Sequence, residues 1–151
     1  MKRFSAVVFL LLLVPMTQGA WAAADEEVAQ VAREWGAALR EGNAEAMSAL
    51  YAEDAHYFFA RTPFRVEGRA AIRAYFVQFF EDFPGRVVVP RHSVTRVYGT
   101  TAVTTGYSEV TLVDRTGQAK TIFVRGSVIR VKLGEKWLIV DHHNSLVPAA
   151  Q

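Results

Sequence analysis

The sequence contains no cysteine. This absence excludes disulfide stabilisation, a thiolate nucleophile, a cysteine metal ligand and a redox-active dithiol. The sequence also lacks a glycine-rich phosphate loop, the Gly-x-Gly-x-x-Gly fingerprint of dinucleotide-binding proteins and the Gly-x-Ser-x-Gly elbow of hydrolases. These absences argue against a dinucleotide-dependent oxidoreductase and a serine hydrolase, and we expect no cofactor.

The histidines show no metal-binding pattern. His56, His92, His142 and His143 include no pair four residues apart on a helix. The adjacent pair falls in a strand-like segment, where neighbouring side chains point to opposite faces and chelate poorly. We therefore expect no bound metal.

A surplus of charge is missing from most of the chain. Lys and Arg number 17 and Asp and Glu number 15, but Lys2 and Arg3 lie within the first 22 residues. Without that segment, the 15 acidic residues are balanced by an equal number of basic ones. No persistent basic face is expected, and nucleic-acid binding is not predicted.

Residues 1–22 have the layout of a cleavable secretory signal peptide. Two basic residues precede the apolar run 6–14, Pro15 interrupts it, and small residues follow. The alternative is an uncleaved anchor, but the run is shorter than the roughly 20 apolar residues that cross a bilayer. We predict cleavage after Ala22 or Ala24, a periplasmic or secreted protein, and contact with the membrane only during export.

Residues 23–151 suffice for one domain with one core, and their pattern predicts an α+β fold. Apolar spacing predicts a helix from Asp25 to Gly42, a short helix over 44–51 and a third opened by Gly68. Strand-like segments separated by turn residues cover 54–59, 64–67, 86–98, 101–113, 120–133 and 136–146. We predict a curved antiparallel sheet of about six strands wrapped around three helices.

The long strands place apolar residues on both of their faces. Val128, Ile129 and Val131, for example, do not alternate cleanly with polar positions. One face must cover the helices, and the other would leave a large apolar surface in water. We therefore predict a homodimer or a higher homo-oligomer.

Three segments resemble a known superfamily: Leu50–Ala55, the helix entry Gly68–Phe76 and the stretch Arg125–Pro148. With them, residues 23–151 look like a nuclear transport factor 2-like domain of SgcJ/EcaC type. Such domains are similar to SnoaL-like proteins and to the association domain of calcium/calmodulin-dependent kinase II. The resemblance implies a cone with a pocket between helices and sheet, usually in a dimer or larger assembly. It does not select a chemistry, because the superfamily includes isomerases, dehydratases, cyclases and assembly domains.

Arg125 interrupts an otherwise apolar strand segment and is the first candidate site residue. One interpretation places its guanidinium in the pocket, bound to a carboxylate or another anion of a ligand. The other is a buried ion pair with an acidic neighbour such as Glu109. The residues alone leave both interpretations open.

Aromatic residues and histidines supply the other candidates. Only one of His142 and His143 can face the pocket, where it would act as a proton shuttle or hydrogen-bond donor; otherwise each packs at a dimer interface. Tyr57, Tyr107 and Trp35 line the pocket or belong to the ordinary core.

The first strand argues against one known chemistry of the superfamily. The ketosteroid-isomerase branch places a carboxylate base there, whereas this chain has Tyr57, Phe58 and Phe59. The leading hypothesis is therefore an exported domain that binds a small polar or anionic molecule. The alternatives are an isomerase, dehydratase or cyclase that uses a pocket histidine and Tyr57 as acid and base, and an oligomerisation module without catalysis.

Overall fold

The computed structural model describes the backbone of residues 18–148 and the side chains of residues 23–148. The predicted signal peptide falls on residues whose side chains lie outside this range, so its cleavage stays a prediction. The elements are α1 Gln18–Glu41, α2 Ala44–Ala49, β1 Tyr51–Phe58, β2 Val66–Glu67, α3 Arg69–Asp82, β3 Gly85–Tyr98, β4 Thr101–Val113, β5 Ala119–Leu133 and β6 Lys136–Leu146.

The six strands form one sheet in the order β2-β1-β6-β5-β4-β3. Strands β3 to β6 pair as successive antiparallel hairpins, and the predicted α+β fold with three helices is confirmed. One pairing differs from the prediction, because β1 runs parallel to β6. These two strands are distant in sequence, and no turn between them indicates their relative direction.

The boundaries of α1 and α2 follow local rules with two differences. Gly42 has a φ of 70°, which glycine adopts without strain, and Asn43 caps α2 by accepting a bond from the Ala46 amide at 2.9 Å. However, Tyr51 begins β1 instead of ending α2. Helix α1 also starts before Asp25, within an alanine-rich segment that strongly favours helix.

Glu27 consequently lies inside α1, away from the start of the helix. Its carboxylate accepts bonds of 2.7 Å from Nζ of Lys132 on β5 and from Nε1 of Trp137 on β6. The bond to Lys132 is the main cause that lowers the pKa of Glu27. These contacts tie α1 to the sheet beside a small core cluster that contains Val28 and Trp137.

The main core lies where the helices meet β1 and β6. Its fully buried side chains include Met47 from α2, Tyr51 from β1, Phe76 from α3 and Ile139 from β6. Aromatic rings continue along α3, but only Ile72 and Phe76 of that helix are fully buried. Within residues 18–148, no helix is long and apolar enough to cross a membrane.

The face of the sheet opposite the helices, here called the outer face, carries exposed apolar and charged side chains. In β5 the even-numbered residues from Ile122 to Arg130 point toward the helices, so the odd-numbered residues point outward. Large apolar side chains on the outer face include Val87, Val89, Tyr107 and Phe123.

Candidate functional site

The helices and the inner face of the sheet surround a cavity with two adjoining chambers. The larger, here called the polar chamber, has a volume of about 230 Å³, and the smaller, the aromatic chamber, about 90 Å³. The residues that line both chambers are Trp35, Val88, Val110, Val124 and Asn144. Trp35 and Tyr57, two of the predicted site residues, therefore belong to the cavity wall.

A β-bulge in β6 decides which histidine faces the cavity. Val140 has no partner in β5, and the register shifts between Ile139 and Asp141. The extra residue reverses the alternation, so that His142 lines the polar chamber and is 5% exposed. His143 lies exposed on the outer face. Simple alternation through this strand would place Ile139 and His142 on opposite faces.

His142 belongs to a hydrogen-bonded chain of buried side chains. Trp35 Nε1 donates to Tyr51 Oη at 3.1 Å, and that hydroxyl lies 2.9 Å from His142 Nδ1. Asn144 Nδ2 donates to Tyr57 Oη at 2.9 Å and lies 3.2 Å from His142 Nε2. The Tyr57 ring stacks on the imidazole, with 4.1 Å between centroids and 7° between planes. These contacts hold His142 in one orientation.

The donors among these hydrogen-bonded side chains determine which protons are left without an acceptor. The Asn144 amide nitrogen carries two protons, so it can donate to Tyr57 and to Nε2 of His142 together. Nδ1 of His142 then carries the imidazole proton and donates to Tyr51. Among residues 23–148, the hydroxyl protons of Tyr51 and Tyr57 have no acceptor in this arrangement. Tyr57 lines the aromatic chamber, so its hydroxyl proton is available to a bound molecule.

Burial keeps these groups uncharged near neutral pH. Desolvation is the main cause that lowers the pKa of His142 to about 3, and the neighbouring charges of Arg130 and His143 act in the same direction. Desolvation likewise raises the pKa of Tyr57 well above its usual value. The acid–base enzyme that uses a pocket histidine and Tyr57 stays a prediction, in which both groups would start from their neutral forms.

Arg130 is the charged side chain that lines the polar chamber. It is only 4% exposed, and its Nη1 donates to Thr104 Oγ1 at 3.0 Å. Its Nε has no hydrogen-bond partner, and no carboxylate within residues 23–148 forms an ion pair with it. Burial lowers the pKa of Arg130, yet a guanidinium keeps its proton in proteins. A buried cation without a counterion thus borders the polar chamber.

The structure corrects the prediction for Arg125. Its side chain is exposed on the outer face, where Nε lies 3.4 Å from Ser145 Oγ, so it neither reaches the cavity nor forms a buried pair. Glu109 pairs instead with Arg91 at 2.5 Å. Tyr107 is 51% exposed; it borders the polar chamber and also an outer groove that it shares with Arg125 and His143.

The pattern that made Arg125 a candidate, a charged residue within an apolar strand segment, applies equally to Arg130. Both arginines interrupt apolar residues in the same strand, and they lie five positions apart. An odd separation puts two strand residues on opposite faces, so only one of them can be inside. Their position relative to the helices decides that the inner residue is Arg130.

Two further features complete the geometry of the site. Gly126 lies opposite Asn144 across β5 and β6, and a Cβ on it would come within 2.3 Å of the Asn144 amide oxygen. The glycine therefore makes room for the amide that joins Tyr57 to His142.

In the described part of the chain, no three His, Asp or Glu side chains converge in a way that could hold a metal ion.

Comparisons with known proteins agree with this architecture. The family model of the SnoaL-like domain matches residues 28–150. A solved structure from Xanthomonas campestris, provisionally named a calcium/calmodulin-dependent protein kinase II association domain, is 30% identical. That match covers 82% of this chain and 88% of the other, with a TM-score of 0.75.

More distant structures share the fold alone. A nuclear transport factor 2-like superfamily protein from Salmonella enterica is 19% identical over 87% of this chain and 96% of its own, with a TM-score of 0.78. A protein of the same family from Streptomyces avermitilis, provisionally named a dehydratase, is 17% identical over 85% and 99%, with a TM-score of 0.76. No curated protein matches the sequence.

Proposed function

The chain belongs to the SnoaL-like domain family, within the nuclear transport factor 2-like fold that its sequence resembles, and we propose that its cavity binds a small organic anion at Arg130. The unpaired guanidinium carries this proposal. An ionised group taken out of water is costly unless a partner of opposite charge is present. Within residues 23–148 that partner is missing, and a ligand carboxylate would supply it.

The surroundings of Arg130 suit a carboxylate. A guanidinium can donate two parallel bonds to the two oxygens of a carboxylate, and Nε, the nitrogen left without a partner, belongs to this fork. Hydroxyl and amide groups of Ser93, Ser108 and Asn144 also line the polar chamber. The low-dielectric surroundings strengthen a charge-assisted bond, so this site can bind an anion in competition with water.

Isothermal titration with benzoate and its uncharged analogue benzamide tests the proposal. We expect benzoate to bind the wild-type protein and benzamide to bind much more weakly. Arg130→Met should raise the Kd of benzoate on the order of 100-fold, because the substitution removes the charge that is desolvated with the ligand.

Arg125→Met is the matched control for this titration. It removes the same group from the same strand, but on the outer face, and should leave the Kd of benzoate unchanged. Equal binding of benzoate and benzamide, or undiminished benzoate binding by Arg130→Met, would contradict the proposal.

We also propose that the outer face pairs with a second copy of the chain. Val87 and Val89 on β3 and Phe123 on β5 are 37 to 55% exposed and lie on this face with Tyr107. These side chains flank Glu109, which pairs with Arg91, and a second copy of the chain would remove their apolar surface from water. Pairing through the outer face leaves the cavity free, because the cavity opens on the other side of the sheet.

Light scattering after size exclusion tests the pairing. The wild-type protein should have the mass of a dimer or larger assembly, and Phe123→Glu should shift it toward the monomer by burying a charge in the interface. Phe64→Glu is the control, because Phe64 is 81% exposed but lies in the loop between β1 and β2. A monomeric wild-type protein would refute the proposal.

Export is a third proposal, supported by the apolar run 6–14 and the small residues after it. Cleavage after Ala22 or Ala24 would retain Val28, the first fully buried residue of α1. The intact mass of protein recovered from outside the cytoplasm should therefore correspond to a chain that starts at residue 23 or 25. Cytoplasmic protein that keeps residues 1–22 would contradict export.

A further inference from the structure

We infer that the anion held at Arg130 is the head of an amphipathic molecule, an aliphatic carboxylate whose tail fills the aromatic chamber. The inference rests on the proposed function of Arg130 and adds the identity of the ligand's other end. The two chambers share a wall formed partly by Val88, Val110 and Val124. One molecule can therefore occupy both.

The two chambers differ sharply in chemistry. The polar chamber holds the buried guanidinium together with hydroxyl, imidazole and amide groups, whereas the aromatic chamber is lined mostly by aromatic and aliphatic side chains. The rings at the aromatic chamber are those of Trp35, Tyr57, Phe59, Tyr75, Phe76 and Phe79. An apolar void of this kind leaves its lining without dispersion partners, and an apolar ligand group would supply them.

A second acidic group would find no ready partner at Arg86, whose guanidinium also borders the aromatic chamber. Its Nε donates to the Leu39 carbonyl at 2.7 Å, and its Nη1 donates to the Phe83 carbonyl at 2.6 Å. The guanidinium also lies 4.4 Å from the centroid of the Phe80 ring. Arg86 is therefore committed to joining α1, α3 and β3, whereas Arg61, the other arginine at this chamber, is exposed and lies with its guanidinium 4.5 Å from the centroid of the Phe83 ring.

The volumes limit the shape of the tail. A cavity of about 150 Å³ holds a benzene ring. The polar chamber, at about 230 Å³, exceeds this volume, whereas the aromatic chamber, at about 90 Å³, does not. The smaller chamber therefore suits a slim aliphatic chain better than two fused rings. Unbranched carboxylates should therefore bind more tightly than bicyclic ones.

A titration series from acetate through butanoate and hexanoate to octanoate tests the inference on the mature protein. Each methylene that enters the aromatic chamber should lower the Kd by about fourfold, as expected for full burial of a methylene. The gain should stop once the chamber is full. The 2-naphthoate ion, with its two fused rings, should bind more weakly than hexanoate.

Ala60→Phe probes the chamber that receives the tail. Ala60 lines the aromatic chamber but not the polar one, and it lies in the turn after β1, where a larger side chain is tolerated. The variant should bind acetate like the wild-type protein and should lose the gain from butanoate to octanoate. Ala60→Leu fills less space and serves if the phenylalanine variant does not fold, as judged by circular dichroism.

The outcomes separate this inference from the proposed function. Arg130-dependent binding of acetate with no gain along the series overturns the inference and leaves the anion site standing. Failure of every carboxylate to bind overturns both. A chain-length gain that survives in both Ala60 variants shows that the tail lies elsewhere and also overturns the inference.

Discussion

Replacing Arg130 with methionine should make the ligand-free protein more stable, by about 1–4 kcal/mol, while removing anion binding. The wild-type side chain is 4% exposed and leaves Nε without a partner, so its desolvation is only partly compensated. Methionine fills a similar space with an unbranched apolar chain. Thr104 keeps a hydroxyl partner in the variant, since its Oγ1 also lies 2.9 Å from Thr95 Oγ1.

Urea unfolding in an anion-free buffer measures this effect directly. The midpoint should rise in Arg130→Met with an unchanged m-value, which reports stability without a change in compactness. Adding benzoate at 100 times its Kd should stabilise the wild-type protein by about 2.7 kcal/mol and should not stabilise the variant. A variant that unfolds more easily than the wild-type protein without ligand would mean that an unrecognised partner balances the charge.

Lowering the pH from 6.5 to 4.5 should cost about 2.3 kcal/mol of stability through His142 alone, and the full slope is reached only below about pH 5.5. The folded-state pKa is about 3 and the ordinary value is 6.5, so in this range the unfolded chain takes up a proton that the folded chain excludes. Stability contributed by the neutral imidazole is complete above pH 6.5 and falls as the pH decreases toward 3. The expected slope is about 1.4 kcal/mol per pH unit.

The variant His142→Gln isolates this contribution. Its amide keeps a polar group beside Tyr51 and Asn144 but cannot be protonated in this range, so the slope between about pH 5.5 and 4.5 should flatten by about 1.4 kcal/mol per unit. Glu27 and Asp114 have pKa values below their ordinary values of 4.5 and 3.8, so their losses come at lower pH. An unchanged slope in the variant would show that His142 accepts a proton within the folded protein.

Much of the fold follows from local features of the chain. Apolar spacing marks α1 and α3, Gly42 and Asn43 end one helix and cap the next, and turn residues separate the four long strands. Each of these features acts through neighbouring residues, so a sequence expresses it directly. The parallel pairing of β1 with β6 does not follow in this way, because the strands meet only after the chain has folded around α3.

The candidate site was only partly predictable. Trp35, Tyr57 and His142 were named as possible cavity residues and line the cavity, whereas His143 lies exposed on the outer face. Arg125 was selected by the right criterion at the wrong position. A charged residue in an apolar strand signals either a site or a surface, and the sequence does not label the faces of the strand.

By itself, the sequence determined an α+β domain with no thiol chemistry, its helix ends and its long antiparallel hairpins, because short-range propensity and turn chemistry govern these features. Only the tertiary structure decided that Arg130 and His142 face the cavity while Arg125 and His143 face outward. The reason is geometric: facing depends on where the helices pack against β5 and on one extra residue, Val140, that shifts the register of β6. Neither the face of β5 that packs against the helices nor the bulge at Val140 can be recognised from the neighbouring residues in the sequence.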